Sequence, residues 1–172
     1  MTFLARRTLF VIFAVTASGY AATALAVDAL PDARFVGFSQ AVNDFAIQSG
    51  QLALSRSTNE NVRGYASRAI AEHTDAAQML SKARSEAGVS YAPDGAMGPR
   101  TANALATLNG LQGPAFDAAF ARAQLEIQTA AVDQMGAYSQ NGTSGPLRRY
   151  AQQMLPKSKM LLEYAQRLAG SR

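Results

Sequence analysis

His73 is the only histidine in this 172-residue chain, and cysteine is absent. Without thiols there is no thiolate metal site, iron–sulfur cluster, disulfide or cysteine nucleophile. With one imidazole, every site that needs two is excluded. What survives is the pair Glu72-His73. It is the candidate ligand-binding or pH-sensitive site, because an imidazole with an ordinary pKa of about 6.5 can change charge near neutrality. The preferred reading of His73 is structural: it falls on a stripe of small apolar residues, where a polar group must find a partner. Glu72, Asp75 and Glu126 read as exposed charges, since no carboxylate pair has a spacing that argues for shared acid–base work. Ser55, Ser57 and Thr58 cluster at one predicted helix junction, where capping accounts for them better than nucleophilic chemistry. Gly95-Ala96-Met97-Gly98, bounded by Pro93 and Pro99, is too short for a phosphate loop, and no GK[ST] follows. The expectation is no catalytic residue, no metal site, no cofactor and no enzymatic activity.

The elements that position these residues are written in helical periods. Phe35, Phe38, Val42, Phe45 and Leu52 recur in steps of three and four and predict a helix over about 33–56, with Asp32 as N-cap. Gly50 inside it marks a bend or a close approach by a neighbour. Ser57-Thr58-Asn59-Glu60 is a polar break with capping residues. A second helix, about 59–87, carries the stripe Val62, Ala66, Ala69, His73, Ala76, Leu80, Ala83 and Ala87 and ends at Gly88 in the C′ position. Gly88 to Arg100 reads as loop, and Thr101 to Asn109 as a short amphipathic turn or helix. A third long helix, about 114–139, opens with Pro114 at N1 and uses Phe116, Phe120, Ala123, Ile127, Ala130 and Ala137, flanked by Met135 and Tyr138. The last, about 146–169, opens with Pro146 and uses Leu147, Ala151, Met154, Leu155, Leu161, Leu162, Ala165 and Leu168. Pro156 lies inside it and predicts a kink. No run alternates as a strand. The fold expected is all-α, an antiparallel four-helix bundle with one long connection between helices two and three. A crossover there is the ferritin-like arrangement.

Residues 1–26 read as a secretory signal. Arg6 and Arg7 form the charged start, an apolar stretch runs from Leu9, and Ala24-Leu25-Ala26 has the small-x-small form of a cleavage site. Leu9 to Ala26 is 18 residues, just long enough to span a membrane, but Ser18, Gly19 and Tyr20 dilute it. Cleavage after Ala26 is therefore expected, leaving a single domain over 27–172. Arg6-Arg7 before Thr8-Leu9-Phe10 leaves the Sec and twin-arginine routes both open. No cysteine follows the apolar stretch, so a lipid anchor is excluded. Of the formal charge of +4, two units belong to Arg6 and Arg7. The rest of the chain has no clustered basic stripe of the kind that binds nucleic acid.

Residues about 34–169 resemble the DUF4142 family of exported, ferritin-like helical proteins of bacteria. The resemblance rests on the Phe35 opening, Ala46 through Leu54, Val62-Arg63-Gly64-Tyr65-Ala66, Glu72-His73-Thr74, Phe116-Asp117 with Phe120, and Leu155-Pro156. It implies a ferritin-like bundle in the periplasm or cell envelope; the family name itself records an unknown function. The family often has further histidines in the third helix and after Leu-Pro in the fourth. The corresponding positions here are Gln128 and Leu161. A ferritin-like di-iron site needs carboxylates from two helices and Glu-x-x-His from the other two. The residue three before His73 is Ile70, so that site is not expected to assemble.

Two functions follow as expectations. The first is an exported helical-bundle protein that acts by binding, with an envelope protein as candidate partner. Its candidate partner surface is the connection 88–113, with Tyr91, Met97 and Leu111. The alternative is a ferritin-like metal- or small-ligand-binding stress-protection protein using His73. Oligomeric state is not legible.

Overall fold

In the computed structural model, which describes residues 27–170, five helices and no strand occur among the described residues. They are α1 (Asp32–Arg56), α2 (Glu60–Ala87), α3 (Met97–Asn109), α4 (Gly113–Asn141) and α5 (Gly145–Gly170). The leader expected at 1–26 lies outside the described residues. The expected count of four is corrected to five by α3, which begins four residues before the turn or helix read at Thr101. Two features extend it. The Asp94 carboxylate accepts from the backbone N–H groups of Ala96 (2.9 Å) and Met97 (2.6 Å), supplying the helix start with an acceptor. Pro99 then falls in the first turn, where a missing N–H costs nothing.

Other boundaries shift for equally local reasons. Asp32 is the first residue of α1 rather than its cap, and Pro31 stands before it. The Asp32 carboxylate instead accepts from Tyr138 and from Thr143 Oγ1 (2.8 Å), tying the start of α1 to the end of α4. Pro114 and Pro146 are each the second helical residue rather than the first. At the α1–α2 junction the cap is Asn59, whose Oδ1 accepts from the N–H groups of Asn61 and Val62. Ser57 Oγ accepts from Asn59 N, and Ser55 Oγ donates to Leu52 O, so these hydroxyls serve the turn. Gly88 ends α2 in the left-handed region (φ 64°), where glycine carries no Cβ penalty. α5 runs unbroken through Pro156, which faces solvent.

α1 packs against α2 and α4, α5 packs against α2 and α4, and α3 lies on α1 and α4. Two pairings along each interface fix the directions: Asn43–His73 with Gly50–Ile70 for α1 and α2, Ser49–Gln124 with Asp32–Tyr138 for α1 and α4, and Glu72–Lys157 with Glu86–Arg149 for α2 and α5. Each long helix is thus antiparallel to both of its neighbours, and α2 and α4 run the same way. The chain between them must therefore return along the length of the molecule, and α3 makes that return. Its end is clasped by Arg56, which donates to the carbonyls of Leu108 (2.9 Å), Asn109 (2.7 Å) and Leu111 (3.0 Å). A guanidinium there satisfies orphan helix carbonyls and complements the negative helix end.

Small residues let the backbones approach. A Cβ at Gly50 would lie 2.7 Å from Ile70 Cγ1 and 3.2 Å from Ala66 O, so of the two readings of Gly50 the close approach is the one observed. Gly37 is tighter still. A Cβ there would lie 1.9 Å from Ala92 O, so α1 accepts the returning connection only because this position has no side chain.

Candidate functional site

The apolar core is in two parts. One contains Phe38, Val42, Phe45, Ala69, Phe116, Phe120, Ile127 and Leu161; the other contains Phe35, Val36, Ala76, Leu80, Met135, Tyr138 and Met154. Near their boundary lie buried polar residues from all four long helices, among them Asn43, His73, Gln128 and Ser158. On α2 the order is Ala69, His73, Ala76, with the first alanine in one cluster and the second in the other. The helical period that stacks the seam thus places the imidazole at the boundary.

His73 is 2% exposed. Its Nδ1 lies 2.9 Å from Asn43 Oδ1, and its Nε2 lies 3.0 Å from Gln128 Nε2. With the amides oriented so, Nδ1–H donates to Asn43 and Nε2 accepts from Gln128, which is the neutral tautomer. Burial pushes the His73 pKa down to about 4; Glu72 acts in the opposite direction and Lys157 in the same one. The polar string continues toward the Arg56 end. Tyr65 OH donates to Gln124 Oε1 (3.2 Å), Gln124 Nε2 donates to Ser49 Oγ (2.9 Å), and Ser49 donates to Phe45 O (2.6 Å). On the other side, Tyr150 is buried with Ser39 and Asn43 beside it. Their groups are close enough to temper its pKa, which burial raises to about 12. None of Tyr150 OH, Ser39 Oγ and Asn43 Nδ2 makes a direct hydrogen bond.

The helix periods predicted His73 in the core but not its partners. Gln124 and Gln128 are fully buried, whereas Ala123, Ala130 and Ala137 are only partly so. The buried face of α4 is therefore Phe116, Phe120, Ala121, Gln124, Ile127, Gln128, Ala131, Met135 and Tyr138, rotated from the expected stripe. Ser39, Asn43, Ser49, Tyr150 and Ser158 were missed for the same reason: a polar side chain at a core register reads as a solvent position. The signal was available in spacing, since Phe116, Phe120, Gln124 and Gln128 are successive steps of four.

Glu72 is adjacent in sequence but turns outward. Its carboxylate pairs with Lys157 Nζ at 2.9 Å and with Arg68 at 3.7 Å, so Glu72 and His73 share a helix turn and no contact. Asp75 and Glu126 are exposed. The proposed partner surface divides as well. Tyr91 is 47% exposed, Met97 is 3% exposed and packed into the core, and Leu111 is half-buried against it. Met97 is out of a partner's reach while α3 is docked, because the Asp94 cap turns it inward.

The chain matches the family described as a domain of unknown function, DUF4142, over residues 16–168. It belongs to the DUF4142 family. No curated protein and no solved structure matches it. In this DUF4142 chain the belt does not fit a ferritin-like di-metal centre. Its donors are one imidazole with both nitrogens engaged, two amides and a hydroxyl, all neutral, and no carboxylate enters the layer. Among the described residues no three His, Cys, Asp or Glu side chains are grouped to hold a metal ion. No helix there is long and apolar enough to cross a membrane. Gln128, which stands where the family resemblance places a further histidine, is the residue that contacts His73 Nε2.

Proposed function

We propose that this chain is an exported protein of the periplasm or cell envelope, built as a ferritin-like antiparallel four-helix bundle, that acts by binding rather than by catalysis. The observation that carries this reading is the closure of the belt. Its only imidazole is sealed from solvent, held neutral and hydrogen-bonded on both nitrogens, so the fold spends its one histidine on structure. The ring of four long helices and the return made by α3 support the ferritin-like bundle, and the small-x-small sequence at Ala24–Ala26 supports export. Binding then falls to the surface, where clefts between the long helices carry mixed charge.

The test is made on protein produced from the full chain in a bacterial host. The expected result is recovery in the periplasmic fraction, beginning at Val27, with an envelope component captured by cross-linking in intact cells. Metal content should be equally low in the native protein and in His73→Ala. Cytoplasmic recovery, or stoichiometric iron, copper or manganese lost on His73→Ala, would overturn the reading in favour of a metal-binding protector.

A further inference from the structure

A cleft of about 230 Å³ lies between α1 and α2, lined by Val36, Gln40, Asn43 and Asp44 from one helix and Ala77, Leu80, Ser81 and Arg84 from the other. It contains one carboxylate and one guanidinium, and among the described residues neither forms an ion pair. Two opposite charges in one cleft that do not meet each other are held apart by the helices. Asn43 faces His73 across the antiparallel pair. Asp44 therefore stands at the His73 level, while Arg84 is eleven residues further along α2. That is about 16 Å of helix at 1.5 Å per residue, of which the long arginine arm reaches back a part. The floor between the charges is apolar at Val36, Ala77 and Leu80, with Gln40 and Ser81 as neutral polar groups. The volume is below the ~300–1,000 Å³ of sites for drug-sized molecules.

We infer that this cleft binds a short zwitterionic peptide, with its terminal carboxylate on Arg84 and its ammonium on Asp44. Arg84 presents a planar fork suited to a carboxylate. Ser81 and Gln40 supply hydrogen bonds for a central amide, and Val36, Ala77 and Leu80 cover small apolar side chains. A free amino acid lacks the central amide and the second side chain. Burial raises the Asp44 carboxyl above its ordinary range, with Gln40 tempering the shift, a desolvation that an incoming ammonium would offset. The floor residue Asn43 is also the acceptor of His73, so occupancy of the cleft bears directly on the belt. This rests on the reading of the protein as a binder and names the class of ligand.

The probe is L-alanyl-L-alanine, titrated into the protein calorimetrically and by amide NMR shifts. N-acetyl-dialanine, which lacks the ammonium, dialanine amide, which lacks the carboxylate, and free alanine are run alongside. The expected result is saturable binding in about the millimolar range, with shifts concentrated in residues 40–44 and 77–84. Each blocked peptide and free alanine should bind about tenfold more weakly. Arg84→Gln should bind dialanine and its amide alike; Asp44→Asn should bind dialanine and its acetylated form alike. Both side chains stand at the cleft surface, and unchanged melting of the variants is checked first. No saturable binding up to about 50 mM, or variants that keep the wild-type preference for both free ends, would overturn the inference. Equal binding of free and blocked peptides at the same amides would overturn the zwitterion class while leaving a binding cleft. Failure here alongside capture of an envelope component in the preceding test would leave the binding function standing without this ligand.

Discussion

His73 stays neutral because everything around it rewards the uncharged ring. Burial penalises the imidazolium, and Gln128 presents an N–H that needs a lone pair at Nε2. The linkage to stability has a definite sign. Unfolded, the ring titrates near 6.5; folded, near 4. Between those values the unfolded chain binds a proton that the folded one lacks, so stability falls as the pH is lowered through that window. At about 1.4 kcal/mol per pH unit, the loss approaches about 3 kcal/mol by pH 4. Urea midpoints at pH 7 and pH 4.5 should therefore separate more for the native protein than for His73→Gln; equal separations would contradict the buried neutral ring. His73→Ala at pH 7 strips Asn43 Oδ1 and Gln128 Nε2 of their partner inside the core. It should cost about 2–5 kcal/mol, read as a lower urea midpoint.

Elements depend on a few clasps. α3 is a helix of 13 residues, marginal by itself in water, and it is held at both ends by residues outside it. Asp94 caps its start and pairs with Arg34 at 3.5 Å; Arg56 gathers its final carbonyls. Arg56→Met should leave those carbonyls to water and loosen the connection, lowering stability by about 1.5–3 kcal/mol. Proteolysis should then begin around residues 105–112, which is the observation that separates this from general destabilisation. Gly37→Ala acts at the other end. Its Cβ meets backbone at Ala92 rather than a yielding side chain, so the connection must lift. A loss of about 1–3 kcal/mol is expected by thermal melting, as for other overpacked sites. Gly95→Ala, which meets open space, should change little and is the control.

At the scale of the whole molecule, both apolar clusters and the belt between them are built from residues 35–168. Protein beginning at Val27 thus retains every one of these residues. Protein beginning at Val27 should melt within a degree or two of one retaining the leader, checked by circular dichroism on both species after mass determination. The direction of each helix also decides the route of the chain. With α2 and α4 parallel, a short hairpin between them is impossible, and the long connection is a geometric necessity.

Much of this was legible in the chain itself. Apolar spacing marked four long helices, the Ser57–Glu60 break and Gly88 marked a start and a stop, and Gly50 marked a bend or a contact, because caps and close approaches are local requirements that a residue type either meets or fails. The seam of α2 matched from Val62 to Ala83, His73 included, except that Tyr65 is also buried and Ala87 is only half-buried. What the sequence could not supply was the pairing of the polar interior. Gln124, Gln128, Asn43 and Ser49 look like surface residues one at a time, and they are stable inside only because partners from other helices satisfy them. Those partners lie 30 to 75 residues away, and no local pattern carries that information. The start of α3 was hidden similarly, since Asp94 reads as a loop residue until the connection has docked on Gly37. Sequence determined where helices form and which chemistry is missing. Only the tertiary structure decided which polar groups meet, because a buried hydrogen bond is a property of two chain segments brought together by packing.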